Sequence, residues 1–306
     1  MNRLSYPSLA PSPIVMRTSG WKDYALIDSG DGKKLERYGP FHVVRPEPQC
    51  LWAPRLPASV WEAADAVFDP SDEEEAGRWR FNAQPKDTWP LAWRGVKFKG
   101  RFTAFRHLAF FPEQAANWAW LEDHLRPRPG RVLNLFGYTG VASLVAASAG
   151  ATVTHVDASK KAIGWARENA ELSGLADRPI RWICEDARRY VQREVRRGAQ
   201  YDGIILDPPK YGRGPGGEVW RLFEDLPQLL KDCVQLLSPE ASFLVLNGYA
   251  ERISGLSLAG LMAEAMAGRC GRIDWGELAL MEDSTDPEKV ARGVGLSFFA
   301  RWSAEP

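Results

Sequence analysis

From Gln114 onward the chain alternates between two hydrophobic periods. Short unbroken apolar runs, which suit strands, precede stretches whose apolar positions recur three and four residues apart, which suit helices. The pattern predicts a helix from about Gln114 to Leu125, a strand Arg131–Phe136, a helix Val141–Ala149, a strand Thr152–Val156 and a helix Lys160–Leu172. A strand Ile180–Cys184, a helix Ala187–Arg196 and a strand Tyr201–Leu206 come next. After a glycine-rich loop the pattern gives a helix Trp220–Leu237 and a strand Ser242–Leu246; two last strands, Gly271–Leu280 and Gly293–Trp302, read as a closing hairpin. Gly203-Ile204-Ile205-Leu206 is an unbroken apolar run, as expected when helices cover both faces of a parallel sheet. The fold class is therefore α/β, a doubly wound, seven-stranded Rossmann-like sheet. Such sheets bind ligands at the carboxyl ends of their strands.

The region before it has another texture. From Leu26 to Arg106 the chain is rich in Pro, Trp and Arg, with an extended run Phe41–Val44 and a turn signal Asp28-Ser29-Gly30-Asp31-Gly32. An acidic run, Asp69 to Glu75, interrupts it, and Val96–Phe102 alternates apolar with basic residues. This reads as a small β-rich domain over residues 21–105, after an extended tail (1–20) and before the main domain (106–306). The proline-bearing N-terminus has no apolar core, so no signal peptide is read there.

Charge and cysteine usage narrow the classes. Lys plus Arg and Asp plus Glu are both 39, which disfavours a wholly basic nucleic-acid coat but permits a local basic patch. Cys50, Cys184, Cys233 and Cys270 include no C-x-x-C pair, and His42, His107, His124 and His155 show no metal-ligand spacing. Reduced thiols in a cytoplasmic protein, with no metal and no membrane span, are the expectation.

Candidate chemistry gathers at the strand ends. Asn134-Leu135-Phe136-Gly137-Tyr138-Thr139-Gly140 ends the first strand, with glycines that permit a tight turn and close approach to a ligand. Asp157 ends the second, where a carboxylate accepts from both hydroxyls of a ribose; a helix cap is the competing role, with Ser159 as rival. Asp186 follows the third strand, as an acceptor for an adenine amine or as a plain helix cap. Asp207-Pro208-Pro209-Lys210-Tyr211 ends the fourth. Two prolines remove two N–H groups, leaving carbonyls and the Asp207 carboxylate as acceptors, and an aromatic ring two positions on can stack on a planar substrate.

Together, Val132–Gly140, Asp157, Glu185-Asp186-Ala187 and Asp207–Tyr211 resemble the class I S-adenosylmethionine-dependent methyltransferases, in particular the bacterial group that modifies cytosine-5 and guanine-N7 of 23S ribosomal RNA. The resemblance covers roughly residues 105–306, including the lead-in His107–Gln114. It implies S-adenosyl-L-methionine as cofactor, with Phe111 and Gln114 beside it and Asn134, Phe136, Gly137 and Thr139 at its methionine end. Asp157 is implied at the ribose, Asp186 at the adenine amine, and Asp207 with Pro208, Pro209 and Tyr211 at the target base, with Asp207 counted among the cofactor-binding residues as well.

Two departures shape the expectation. Asn134 stands where the group has an acid. Leu246-Asn247-Gly248-Tyr249 lacks the cysteine that cytosine-5 chemistry needs, because carbon 5 becomes nucleophilic only after a thiolate adds to the ring. A nitrogen of an RNA base is the favoured target. Methylation of a protein amide nitrogen is the alternative within catalysis, and an inactive nucleotide- or RNA-binding module the alternative outside it. Lys86, Arg94, Lys97, Lys99, Arg101 and Arg106, interleaved with Trp89, Trp93, Phe98, Phe102 and Phe105, suit single-stranded RNA as well as an amphipathic strand over an aromatic core. The arginines from Arg188 to Arg197 read as one solvated helix face.

Overall fold

A computed structural model of the chain describes residues 6–71, 77–82, 85–249, 252–283 and 290–304. Residues 72–75 of the acidic run lie outside the described residues. The chain divides into two compact units, residues 1–16, 117–278 and 296–306 in the larger and residues 17–116 and 279–295 in the smaller.

The larger unit is built on β1 (Arg131–Leu135), α1 (Val141–Ser148), β2 (Thr152–Asp157), α2 (Lys160–Leu172), β3 (Ile180–Cys184), α3 (Ala187–Arg196) and β4 (Gly203–Leu206). It continues with α4 (Leu222–Gln235), β5 (Phe243–Gly248), α5 (Gly255–Ala265), β6 (Arg272–Met281) and β7 (Gly293–Ser303). The strand order is β6-β7-β5-β4-β1-β2-β3. Strands β1 to β5 pair in parallel and β7 joins β5 antiparallel. This is the expected doubly wound sheet, with β1 at the switch point between β2 and β4. Buried Leu133, Leu135, Val156, Ile204, Leu206, Leu244 and Leu246 form the centre of its core. Gly203 is dictated by packing, since a Cβ there would lie 2.2 Å from the Phe243 ring.

Four elements differ from the sequence expectation. Ser8–Leu9 pairs in parallel with Arg272 and Ile273 of β6 and Ile14–Thr18 pairs with β6 as well, so the expected tail adds two strands and the sheet has nine, not seven. Helix α5 forms in a stretch where the apolar pattern predicts no element. The glycine-rich loop contains a small antiparallel hairpin, Tyr211–Arg213 with Val219–Arg221, and helix α4 starts only after it.

The smaller unit holds a five-stranded sheet, Tyr24–Gly30, Lys33–Tyr38, Phe41–Pro46, Ala66–Pro70 and Gly77–Phe81, and a hairpin, Thr88–Trp93 with Val96–Arg101. The first turn is the predicted one. Asp31 and Gly32, at φ 48° and 72°, supply the two left-handed residues that a tight hairpin turn requires. Inside the sheet Glu36 is buried and bridges Arg45 through two hydrogen bonds of 2.7 Å.

Candidate functional site

The strand register brings the candidate residues together. Leu135 pairs with Val156 on one side and with Leu206 on the other, so residues 136, 157 and 207 leave the sheet side by side. Asp157 in turn pairs with Cys184, which places Asp186 just past the next strand.

The loop after β1 is conformationally costly. Phe136 and Tyr138 are non-glycine residues at φ 57° and 48°, and Gly140 lies at φ 84°. Such left-handed positions cost about 1–3 kcal/mol each in non-glycine residues and persist only where the surroundings enforce them. Here Asp157 does much of the enforcing: one carboxylate oxygen accepts from the Tyr138 N–H at 2.8 Å, the other from the Ser159 N–H at 2.8 Å. Ser159 itself caps α2 through Ala162. Asp157 is therefore the anchor of the loop, and the cap role falls to its rival. Burial raises its carboxyl above the ordinary aspartate range.

Beneath the loop lies a polar relay. Asn134 is buried, and its amide donates to the Ser143 hydroxyl at 2.9 Å, which meets His155 Nδ1 at 3.0 Å. Burial drives His155 down to about 3, so the ring is neutral. A Cβ at Gly137 would sit 2.4 Å from His155 Cε1, so the ring under the loop is what demands glycine there. Thr139 is buried, and its carbonyl accepts from Asn169 at 2.9 Å.

Asp186 caps α3 by accepting from the Arg189 N–H at 3.1 Å and pairs with Arg188 at 3.5 Å. Of its two readings, the helix cap is the one this geometry shows. Arg188 also bonds Asp225 at 2.6 Å and the Val219 carbonyl at 2.8 Å. Arg189 pairs with Glu218, Arg193 with Glu185 and Arg197 with Glu194, so the arginines expected as a solvated face are largely tied in ion pairs.

Asp207 and Pro208 follow β4, and Tyr211 stands half-exposed at the start of the hairpin. The Pro209 carbonyl accepts from the Trp220 indole N–H at 2.7 Å, and the Trp220 ring meets Phe136 at 4.9 Å between centroids. Neither Trp220 nor the Ser143–His155 relay was singled out from the sequence. Only the contiguity of His155 with Asp157 offered a hint of the relay.

At the end of β5, Asn247 is buried and its amide oxygen accepts from Asn117 at 2.9 Å. All four cysteines are free thiols. Cys233 is buried in α4, and burial pushes its thiol well up, away from the nucleophilic thiolate. Among the described residues no group of three His, Cys, Asp or Glu side chains is arranged to hold a metal, and no helix is long and apolar enough to cross a membrane.

Phe111 and Gln114 belong to the smaller unit, where Phe111 precedes a 3-10 turn, Pro112–Gln114, and the buried Gln114 is its last residue. The basic aromatic segment resolves into two faces there. Trp89, Trp93 and Phe98 are core residues, with Phe98 wholly buried, so of the two readings the amphipathic strand over an aromatic core holds for these three rings. The strands alternate, so every second side chain turns inward. A cavity of about 570 Å³ opens instead beside Arg78, Trp79, Phe81, Lys86, Phe102 and Thr103. Trp79 is held at its rim by donating to the carbonyls of Thr103 and Phe105.

Comparison with known proteins agrees with this geometry. The family model for the S-adenosylmethionine-dependent methyltransferase matches residues 58–250. The chain is 30% identical over 186 residues, 59% of its length, to the ribosomal RNA large subunit methyltransferase K/L of Shewanella frigidimarina (strain NCIMB 400). It spans about a quarter (26%) of that relative's length. Among solved structures it is similar to a SAM-dependent methyltransferase from Agrobacterium tumefaciens, at 53% identity and a TM-score of 0.93, covering 98% of this chain and 96% of that one. A putative SAM-dependent methyltransferase from Streptococcus mutans shares the fold at 17% identity and a TM-score of 0.69, covering 93% of this chain and 76% of that one. The chain belongs to the S-adenosylmethionine-dependent methyltransferase family, and S-adenosylmethionine is its cofactor.

Proposed function

We propose that the chain methylates a nitrogen of a base in ribosomal RNA. The observation that carries this reading is Asp207-Pro208-Pro209-Lys210-Tyr211, an acceptor-rich turn with a half-exposed ring, placed beside the strained loop at the switch point. The relatives named as large subunit ribosomal RNA methyltransferases supply the substrate class.

The residues present suit S-adenosylmethionine. His155 fills the space under Gly137 that a side chain would need, so the loop backbone lies bare at the head of α1. Asn134, Phe136, Gly137 and Thr139 are assigned to the methionine end, Asp157 to the ribose and Asp186 to the adenine amine. Asp157 still has acceptor capacity beyond its two backbone donors, because a carboxylate offers about four lone-pair sites. Bound there, the sulfonium supplies an electrophilic methyl group and a neutral leaving group.

The rest falls to this chain. Tyr211 stacks on the base, and Asp207 with the Pro208 carbonyl accepts hydrogen bonds from its N–H edge, turning the nitrogen lone pair toward the methyl carbon. The new N–C bond forms as the C–S bond breaks, and the proton lost from the nitrogen passes to Asp207 or to water. Positioning of this kind is worth several kcal/mol of barrier. A carbon target would require a thiolate at the end of β5, where this chain has Asn247 engaged with Asn117. In the smaller unit, the cavity beside Trp79, Phe81 and Phe102 with Arg78 and Lys86 offers aromatic and cationic groups of the kind that hold single-stranded RNA.

The test is transfer of labelled methyl groups to ribosomal RNA from a strain lacking this gene, with the product nucleoside identified after digestion. Label in an N-methylated nucleoside is the expected result. Label recovered only in protein, or in 5-methylcytosine, would overturn the reading.

A further inference from the structure

We infer that Trp220 is a positioning residue for the acceptor motif: its indole N–H takes up the Pro209 carbonyl and so fixes the turn that carries Asp207 and Pro208. The inference deepens the methyl-transfer reading and rests on it for the identity of the substrate.

Two consecutive prolines create two carbonyls with no N–H of their own to compete for partners. An acceptor turn with every carbonyl open would admit a base in more than one register. Trp220 removes one of these acceptors. It is 3% exposed, its Nε1 lies 2.7 Å from the Pro209 oxygen, and Pro209 is thereby tied to the far strand of the hairpin. The hairpin closes on the other side of the motif too, since the Leu222 N–H donates to the Lys210 carbonyl at 3.0 Å.

Trp220 is itself held in place. Its ring meets Phe136, a left-handed residue of the loop after β1, and the Arg188 guanidinium stands 5.9 Å from its centroid. Arg188 donates to the Val219 carbonyl beside Trp220 and reaches both Asp225 and Asp186. A continuous set of contacts thus runs from Asp186, assigned to the adenine, through Arg188 and Trp220 to Pro209. Trp220 touches neither reacting atom. It acts through Pro209.

The experiment replaces Trp220 in the full chain by 3-benzothienylalanine, which keeps the bicyclic ring and its packing but has sulfur in place of the N–H donor. Trp220→Phe is a second, genetically simpler variant. With the wild type transferring label to ribosomal RNA, the expected result is a kcat lowered by about 10- to 100-fold, the scale of a misplaced reacting group. The S-adenosylmethionine Kd and the KM for RNA should stay within about twofold, a split that general destabilisation does not produce. An unchanged kcat overturns the inference while leaving the RNA reading intact.

A second readout needs no RNA. Amide hydrogen exchange of Tyr211–Leu222, measured on the cofactor-bound protein, should quicken by about tenfold or more in the benzothienyl variant. Unchanged protection would overturn the clamp even if no RNA transfer were seen. Absent transfer in the wild type, with quickened exchange in the variant, sinks the RNA reading alone and upholds the clamp.

Discussion

Replacing Asp157 by alanine separates two roles that the geometry superimposes. The carboxylate accepts from the N–H groups of Tyr138 and Ser159, both at 2.8 Å, and is assigned to the cofactor ribose as well. Hydrogen bonds to a charged group contribute about 1.5–3 kcal/mol each, so the two backbone contacts make a stability loss of about 2–4 kcal/mol the expectation, part being recovered by water. Loss of two ribose contacts of the same kind, discounted in the same way, leaves about 3 kcal/mol, or about a 100-fold rise in the S-adenosylmethionine Kd. Titration calorimetry together with thermal unfolding reads the two quantities on one sample. Asp157→Asn, which keeps one acceptor oxygen, should fall between, near a tenfold rise. A variant whose Tm drops while Kd stays within about threefold would show that Asp157 pins the loop and holds no ribose. The pH dependence has a definite sign. Burial raises the Asp157 carboxyl, so the folded protein keeps this proton to a higher pH than the unfolded chain does. Stability contributed by the group therefore falls as pH rises through that interval. Cofactor affinity moves the other way, because binding favours the ionised form: it weakens as pH drops into the interval and is accompanied there by proton release.

Asp207→Ala should abolish methyl transfer while leaving the calorimetric Kd for the cofactor within about threefold, since the motif is assigned to the base; a variant retaining full turnover would refute that assignment. Gly137→Ala forces a methyl group to within 2.4 Å of the neutral His155 ring and should cost about 1–3 kcal/mol in denaturant unfolding. The companion His155→Ala substitution in the same chain should recover part of that loss, and no recovery would rule out the ring as the cause. Trp79→Ala should raise the KM for RNA by about tenfold with kcat unchanged, the scale of one stacked base. Equal KM values would remove the small unit's cavity from the RNA path. Glu36→Gln should destabilise the smaller unit by about 3–5 kcal/mol, because it strands buried Arg45. Burial alone would push Glu36 up, but Arg45 and Lys34 outweigh it and hold the carboxyl at about 2. Its stabilisation is full above the ordinary glutamate range and is lost as pH falls toward 2, so the acid-unfolding curve of the variant should flatten in that interval.

Much of this fold was legible because its elements announce themselves locally. Helix Lys160–Leu172 and strands Ile180–Cys184 and Arg131–Leu135 carry their period within their own residues, and Ser159 and Asp186 stand where a cap belongs. The elements that were missed depend on partners elsewhere. Ser8–Leu9 has two residues and no period; it is a strand only because β6 presents Arg272 and Ile273 beside it. The hairpin Tyr211–Arg213 with Val219–Arg221 hides in a loop whose glycines suggest mobility, and its order comes from Trp220, Arg188 and Glu218, which bond to Pro209, Val219 and Gly216. Trp89 and Phe98 stayed ambiguous for the related reason that an aromatic-basic alternation is the same string whether its rings face solvent or core.

The site divides along the same line. Asn134, Phe136, Asp157, Asp186 and Asp207 could be found because a parallel sheet puts every strand's carboxyl end on one edge, so position along the chain translates directly into position in space. What each residue does there is set by neighbours that no spacing rule names. Asp157 reads as a ribose acceptor from its strand end, yet in the fold it first holds a left-handed Tyr138 in place. Asp207–Tyr211 reads as a row of equivalent acceptors until Trp220 claims the Pro209 carbonyl. A motif therefore locates the chemistry, and the contacts around it decide which of its atoms remain available to a substrate. If that is right, specificity for the target base should respond more to Trp220 and Arg188 than to conservative changes within the motif's own exposed positions, such as Tyr211→Phe, which keeps the stacking ring. Product nucleosides from Arg188→Met and Tyr211→Phe, compared on the same ribosomal RNA, put that ordering to the test: altered or mixed products from Tyr211→Phe alone would reverse it.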